Sequence, residues 1–196
     1  IDTLTGFKYI SEQIQLFEET GERSFLFGYE ESYGYLIGDF VRDKDAIQAC
    51  LLISEVAAYY KSNGKTLYEG LIELYETYGY YKEDLISVTL KGKDGVQQML
   101  AILENFRNDP PKEFNGRKVL VIEDYQNRLR NYTESKVSEK ITLPQSNVLK
   151  YKLENDAWVC IRPSGTEPKI KFYFGVKGNT YNKSLNTLEY LKTAVM

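Results

Sequence analysis

Apolar residues at Phe7, Ile10, Ile14 and Phe17 recur at the spacing of one helix face, and Gly21 marks its stop. Ser24 to Phe27 then reads as a short strand. The most apolar run of the chain, Ala46 to Tyr60, predicts a buried helix that Asp43 or Asp45 caps and that ends near Lys61, before Asn63-Gly64. Thr66 and Glu69 have the spacing of a capping box for a further helix, with Leu67, Leu71, Leu74, Tyr75 and Tyr78 on one stripe and Gly79 closing it.

A different grammar follows. Ile86, Val88 and Leu90 alternate with Ser87 and Thr89, the pattern of a half-buried strand. Asp94 is placed to cap a helix carrying Val96, Met99, Leu100, Leu103 and Phe106 on one face, stopped before Pro110-Pro111. Strands are predicted at Lys118 to Ile122, Val148 to Leu153, Trp158 to Ile161 and Ile170 to Val176, with a hairpin around Asn155-Asp156. Leu185, Leu188, Leu191 and Val195 make a last amphipathic helix, and the polar stretch from Asp124 to Asn147 reads as an irregular surface excursion. The change of pattern around Tyr80 to Asp84 divides the chain into domains at 1–80 and 81–196, and the interleaving of helices and strands makes the class α/β to α+β.

Composition narrows the functional classes. With 196 residues, 42% of them apolar, the chain has material for one large core or two small ones. A net charge of -3 argues against a broad nucleic-acid footprint, so any anion site must be local. The apolar run at 46–60 is shorter than the roughly 20 residues of a membrane span, and no secretion signal opens the chain, so neither membrane nor nucleic acid is expected as a partner and a cytoplasmic location is. Cys50 and Cys160 are expected as reduced, buried thiols. The sequence contains no histidine, which excludes a His-based triad or a His-bearing zinc site within this chain. It begins at Ile1 rather than Met, as a piece of a longer protein would.

Three constellations carry chemistry. In Arg162-Pro163-Ser164-Gly165-Thr166-Glu167-Pro168-Lys169, Arg162 offers a planar fork for two phosphate oxygens, Ser164 and Thr166 add hydroxyls, Gly165 admits backbone N–H groups, and Lys169 adds charge. The two prolines restrict the loop before a ligand arrives. Glu167 would repel a phosphate and should point away or pair with Lys169 or Lys171. Residue types alone leave this segment between a phosphate cradle and a solvated turn. Gly28-Tyr29-Glu30-Glu31-Ser32-Tyr33-Gly34 combines acceptors and aromatic rings that suit a polyol, although acidic turns are common. Arg42-Asp43-Lys44-Asp45 is either a helix cap with solvated neighbours or the place of a lysine that reaches an anionic substrate, or that transfers a proton if its pKa is lowered. The clustered tyrosines read as core or interface rather than as a stacking platform.

In this order the motifs resemble the C-terminal half of the α-D-phosphohexomutase family, and within it the bacterial phosphoglucomutases. Thr3 to Ile10 is similar to the family's substrate-specificity segment, Gly28 to Gly34 to its sugar-binding loop, and Arg162 to Lys169 to its phosphate-binding loop. Tyr29 stands where many relatives have glycine. The resemblance implies an incomplete third domain of mixed α/β structure over residues 1–80. It implies a fourth domain, an antiparallel sheet flanked by helices, over 81–196. It gives Thr5 and Gly6 a part in sugar orientation, Glu30 and Ser32 the sugar hydroxyls, and Lys44 the substrate with a candidate role in proton transfer. Arg162, Ser164, Gly165, Thr166 and Lys169 would hold the phosphate that is not transferred. The family moves a phosphoryl group through a phosphoserine and a glucose 1,6-bisphosphate intermediate, with Mg2+ neutralising charge. Its serine loop, Thr-Ala-Ser-His-Asn-Pro, and its metal loop, Asp-Gly-Asp-Gly-Asp-Arg, do not occur in this sequence. No residue here is therefore expected to bind metal, the partners expected are a phosphosugar and the N-terminal domains of the same protein, and the chain alone is expected to be inactive. A noncatalytic sugar-phosphate-binding module and a mutase for phosphomannose or phosphopentose remain as alternatives.

Overall fold

The computed structural model describes residues 1–92, 94–165 and 167–196, which form two compact units, Ile1–Glu73 and Leu74–Met196. In the first, helix α1 (Phe7–Thr20) buries Phe7 and Ile14 and ends at Gly21, whose φ of 66° closes it in the left-handed conformation. A two-stranded antiparallel hairpin follows, β1 (Phe27–Glu30) and β2 (Gly34–Ile37). Leu36 joins Phe7 and Ile14 in a small core with Ile10, Phe25 and Val41 against it. Gly28 faces α1, where a Cβ would lie 2.8 Å from Ile10 Cγ2, so only glycine lets this strand approach the helix so closely.

The strand is thus displaced from the expected Ser24–Phe27, and the acidic motif is itself a hairpin rather than a loop after a strand. Phe27 stacks with Tyr29, two residues on, and with Tyr35 across the pair, which favours extended backbone there.

Helix α2 (Ala46–Ser62) starts at Asp45, whose carboxylate accepts from the N–H groups of Ile47 and Gln48. Against expectation it is not a buried helix: no residue is fully covered, and Ile47 and Leu51 are 84% and 63% exposed. Cys50 is exposed with it, contrary to the buried thiol expected. The reason is geometric, because α2 is apolar around its circumference whereas the sheet of this unit is a narrow hairpin that covers one strip. Helix α3 (Leu67–Tyr78) opens on the expected capping box, the Thr66 N–H donating to Glu69 Oε2 at 2.7 Å and the Glu69 N–H to Thr66 Oγ1 at 3.2 Å. The division between the units falls within it.

The second unit holds β3 (Tyr80–Thr89), α4 (Gly95–Asn108), β4 (Glu113–Phe114), β5 (Arg117–Asp124), β6 (Leu129–Tyr132), β7 (Ser138–Lys140), β8 (Leu149–Leu153), β9 (Trp158–Pro163), β10 (Lys169–Gly178) and α5 (Tyr181–Val195). Among the described residues the strands make one antiparallel sheet in the order β3-β10-β9-β8-β5-β6-β7, with β4 on β5. Ile170, Phe172, Phe174 and Val176 alternate inward along β10 and join Val159, Ile161, Leu149, Tyr151 and Leu153 under Met99 and Leu103 of α4 and Leu188 and Leu191 of α5. Both helices contribute to this one cluster, and no helix of the unit adds a second cluster on the opposite sheet face.

Asp94 occupies the cap position of α4 but its side chain makes no capping bond. The hairpin turn is as expected, with Asn155 and Asp156 at φ 59° and 57°. The polar stretch from Asp124 to Asn147 is more regular than expected. It adds β6 and β7 to the sheet edge, because Arg130 satisfies the buried Glu123 and Ile141 is buried beside them. Among the described residues no helix is long and apolar enough to cross a membrane.

Candidate functional site

In the first unit, α1, the hairpin and the segment before α2 converge on Lys44. The segment is tied down by Arg42, whose guanidinium pairs with Glu18 of α1 at 2.5 Å and bonds the Asp39 carbonyl, while Ser11 donates to the Arg42 carbonyl. Lys44 then crosses Gly34: a Cβ on Gly34 would overlap the lysine stem and lie 2.7 Å from Glu30 Oε1, so the space left by glycine is what lets the two side chains meet. Lys44 Nζ is 3.8 Å from Glu30 Oε1 and 3.0 Å from Asp43 Oδ1, and lies 5.2 Å from the centre of the Phe7 ring.

The hydrogen bond to Asp43 raises the Lys44 pKa against the opposing effect of desolvation, with the charges of Asp43 and Glu30 adding to it. Lys44 is therefore held as an ammonium. A lysine whose pKa is raised rather than lowered fits a group that donates hydrogen bonds and positive charge. The same ammonium holds the Asp43 carboxyl below its usual range.

Thr5 and Gly6 stand at the start of α1, where Gly6 takes φ 123° and its carbonyl accepts from the Tyr9 N–H. Ser32 is at the exposed hairpin tip, next to Tyr33 at φ 64°. Glu30 and Lys44 are thus brought together, whereas among the described residues the Thr5 and Ser32 side chains form no hydrogen bond with them. A groove of about 580 Å3 runs along α1 beside this cluster, with Phe7, Lys8, Arg42 and Lys44 among its walls.

In the second unit, the turn between β9 and β10 carries the basic motif. It is closed by backbone bonds, Ser164 N–H to the Lys169 carbonyl at 2.7 Å and Lys169 N–H to the Glu167 carbonyl at 2.7 Å, and anchored to the end of β3 by Leu90 N–H to the Pro168 carbonyl at 2.9 Å. Ser164 therefore spends its amide on the turn. A Cβ at Gly165 would meet nothing within 4 Å, so packing does not demand this glycine and the space above it is open. Glu167 pairs with Lys169 at 2.6 Å, one of the two arrangements anticipated for it. Thr166 lies outside the described residues.

Arg162 is on the sheet face opposite the core, and the β9–β10 register sets Lys171 directly across from it. Among the described residues no carboxylate pairs with Arg162 or Lys171. Lys171 was missed as a candidate, although the alternation Ile170, Phe172, Phe174 turned inward already puts it on the other face. Pairing of β9 with β10 was needed to make it Arg162's neighbour.

The turn and hairpin belong to folds with known counterparts. Residues 1–78 match the family description "Phosphoglucomutase/phosphomannomutase, alpha/beta/alpha domain III" and residues 85–181 match "Phosphoglucomutase/phosphomannomutase, C-terminal domain". The chain belongs to this family. Among individual relatives, it is 42% identical over 182 residues to a phosphoglucomutase of Staphylococcus haemolyticus, covering 93% of this chain and 33% of that protein. It is 41% identical over 176 residues to a phosphoglucomutase of Staphylococcus aureus strain USA300, covering 90% and 31%. It spans about a third of the length of these curated relatives. The crystal structure of the open form of parafusin, a phosphoglucomutase from Paramecium, superimposes with a TM-score of 0.61 over 97% of this chain and 32% of that one, at 16% identity, a likeness of fold.

Proposed function

We propose that this chain is the sugar- and phosphate-binding part of a phosphoglucomutase that interconverts glucose 1-phosphate and glucose 6-phosphate in the cytoplasm. The observation that carries the reading is the β9–β10 turn, closed by backbone bonds, with open space above Gly165 and, among the described residues, no carboxylate paired with Arg162 at its edge. Arg162 and Lys169 supply charge to the phosphate that is not transferred, Ser164 and Gly165 are further phosphate-binding residues together with Thr166, which lies outside the described residues, and Lys171 stands beside Arg162. Two or three charge-assisted hydrogen bonds, each worth about 1.5–3 kcal/mol, support affinity of order millimolar or better.

The first domain, taken as residues 1–80, handles the sugar, and the second, 81–196, the phosphate. Glu30 accepts protons of sugar hydroxyls and Lys44 donates to an oxygen, their 3.8 Å separation letting one diol address both. Ser32 at the hairpin tip and Thr5 with Gly6 at the start of α1 complete the set. Mg2+ would neutralise the transferring phosphoryl group in the full-length enzyme. Among the described residues no three His, Cys, Asp or Glu side chains come together for a metal, and no step proposed here runs through a metal held by this chain. The nucleophilic serine, and with it the bisphosphorylated intermediate, belongs to the remaining two-thirds of the relatives' length.

Calorimetry with glucose 1-phosphate tests the loop. Arg162→Ala is expected to weaken binding roughly tenfold or more, from the loss of one charge-assisted bond. Equal affinities would remove the loop from the site.

A further inference from the structure

The turn that offers Lys169 to a phosphate also offers it a carboxylate. Glu167 and Lys169 pair at 2.6 Å across Pro168 while both remain partly exposed, at 56% and 34%. The backbone bonds of the turn hold the two residues in this arrangement. A carboxylate oxygen and a phosphate oxygen are equivalent acceptors for an ammonium, so one lysine donor faces two claimants. Lys169, and more distantly Lys171, hold the Glu167 carboxyl below its usual range, so it is ionised wherever a phosphate monoester is a dianion.

We infer that Glu167 is an intramolecular competitor for Lys169, which an incoming phosphate displaces when it binds. This rests on the phosphate-loop reading above. An exposed pair is weak, so the clasp weakens phosphate binding by no more than about fivefold. Its consequence is a site that holds the phosphate loosely enough to exchange it.

The test is titration of the 196-residue chain with glucose 1-phosphate, followed by amide chemical shifts, for Glu167→Gln, Lys169→Met, the double variant and Arg162→Ala. Glu167→Gln is expected to bind roughly two- to fivefold more tightly, and this gain to vanish in the Lys169→Met background. Unchanged or weaker binding by Glu167→Gln overturns the inference. A gain that persists without Lys169 overturns it too, since it reports only the lost negative charge. Lys169→Gln replaces Lys169→Met if the latter does not keep the parent's melting temperature. If Arg162→Ala binds like the parent, it is the phosphate-loop reading that fails; if Arg162→Ala weakens binding and Glu167→Gln has no effect, the inference alone fails.

Discussion

Arg162 of β9 and Lys171 of β10 stand directly opposite each other on the sheet face away from the core, two cations that form no ion pair with a carboxylate among the described residues. Like charges on paired strands repel, an arrangement that an anion relieves. Lys171→Met is expected to weaken glucose 1-phosphate binding about three- to tenfold, corresponding to the loss of roughly 1 kcal/mol. Lys183→Met, on α5, serves as the control for net charge, and equal effects of the two would show that only overall charge matters.

Phosphoryl transfer needs a nucleophile and charge neutralisation at the transferring group, and the function proposed above assigns both to the part of the relatives' length that this chain does not span. A coupled assay of glucose 6-phosphate formation is expected to show no turnover from the chain by itself. Sustained turnover in a preparation free of other mutases would refute the division of labour proposed here.

Lys44 owes its raised pKa first to the hydrogen bond from its ammonium to Asp43. Asp43→Asn removes that charge, so the Lys44 pKa should fall towards the ordinary lysine value, as followed by NMR of the lysine side chain. Because the folded pKa is raised, what the pair contributes to stability is present below the unfolded lysine pKa and lost as pH rises through the folded one. No change in the titration on Asp43→Asn would show that the contact is not held in solution.

Glu123 sits at 2% side-chain exposure, receiving Arg130 Nε at 2.7 Å, Lys152 Nζ at 2.9 Å and the Tyr125 hydroxyl at 3.2 Å. Burial pushes its carboxyl up, but the bonds from Lys152 and Arg130 together outweigh this and hold it below the usual range. With the folded pKa depressed, its contribution is complete above the unfolded carboxylate pKa and is lost as pH falls through the folded value. Glu123→Gln should cost about 1–3 kcal/mol at neutral pH and flatten the acid limb of a denaturation series, since both cations lose their buried partner. An acid limb as steep as the parent's would rule this out.

Local periodicity was enough to read the helices α1, α3, α4 and α5, the inward faces of β3, β8, β9 and β10, and the left-handed turn at Asn155-Asp156. In each, the hydrophobic repeat and the capping or turn residues agree with what the final fold buries. The two motifs proposed to bind phosphate and sugar could be singled out in the same way, because the residue types that suggest them are adjacent in sequence. Burial of α2 was not legible: an apolar helix reads as interior from any side, and whether something covers it depends on the width of the sheet beside it. The hairpin of the Gly28–Gly34 motif and the strands within Asp124–Asn147 escaped for the opposite reason, since their pairing partners and the salt bridges of Glu123, not their own alternation, make them strands. Most of what the candidate site adds is likewise tertiary. The meeting of Lys44 with Glu30 across Gly34, the Lys171–Arg162 pair and the clasp of Glu167 on Lys169 each depend on how the backbone turns or pairs, which sets distances that residue types alone do not contain.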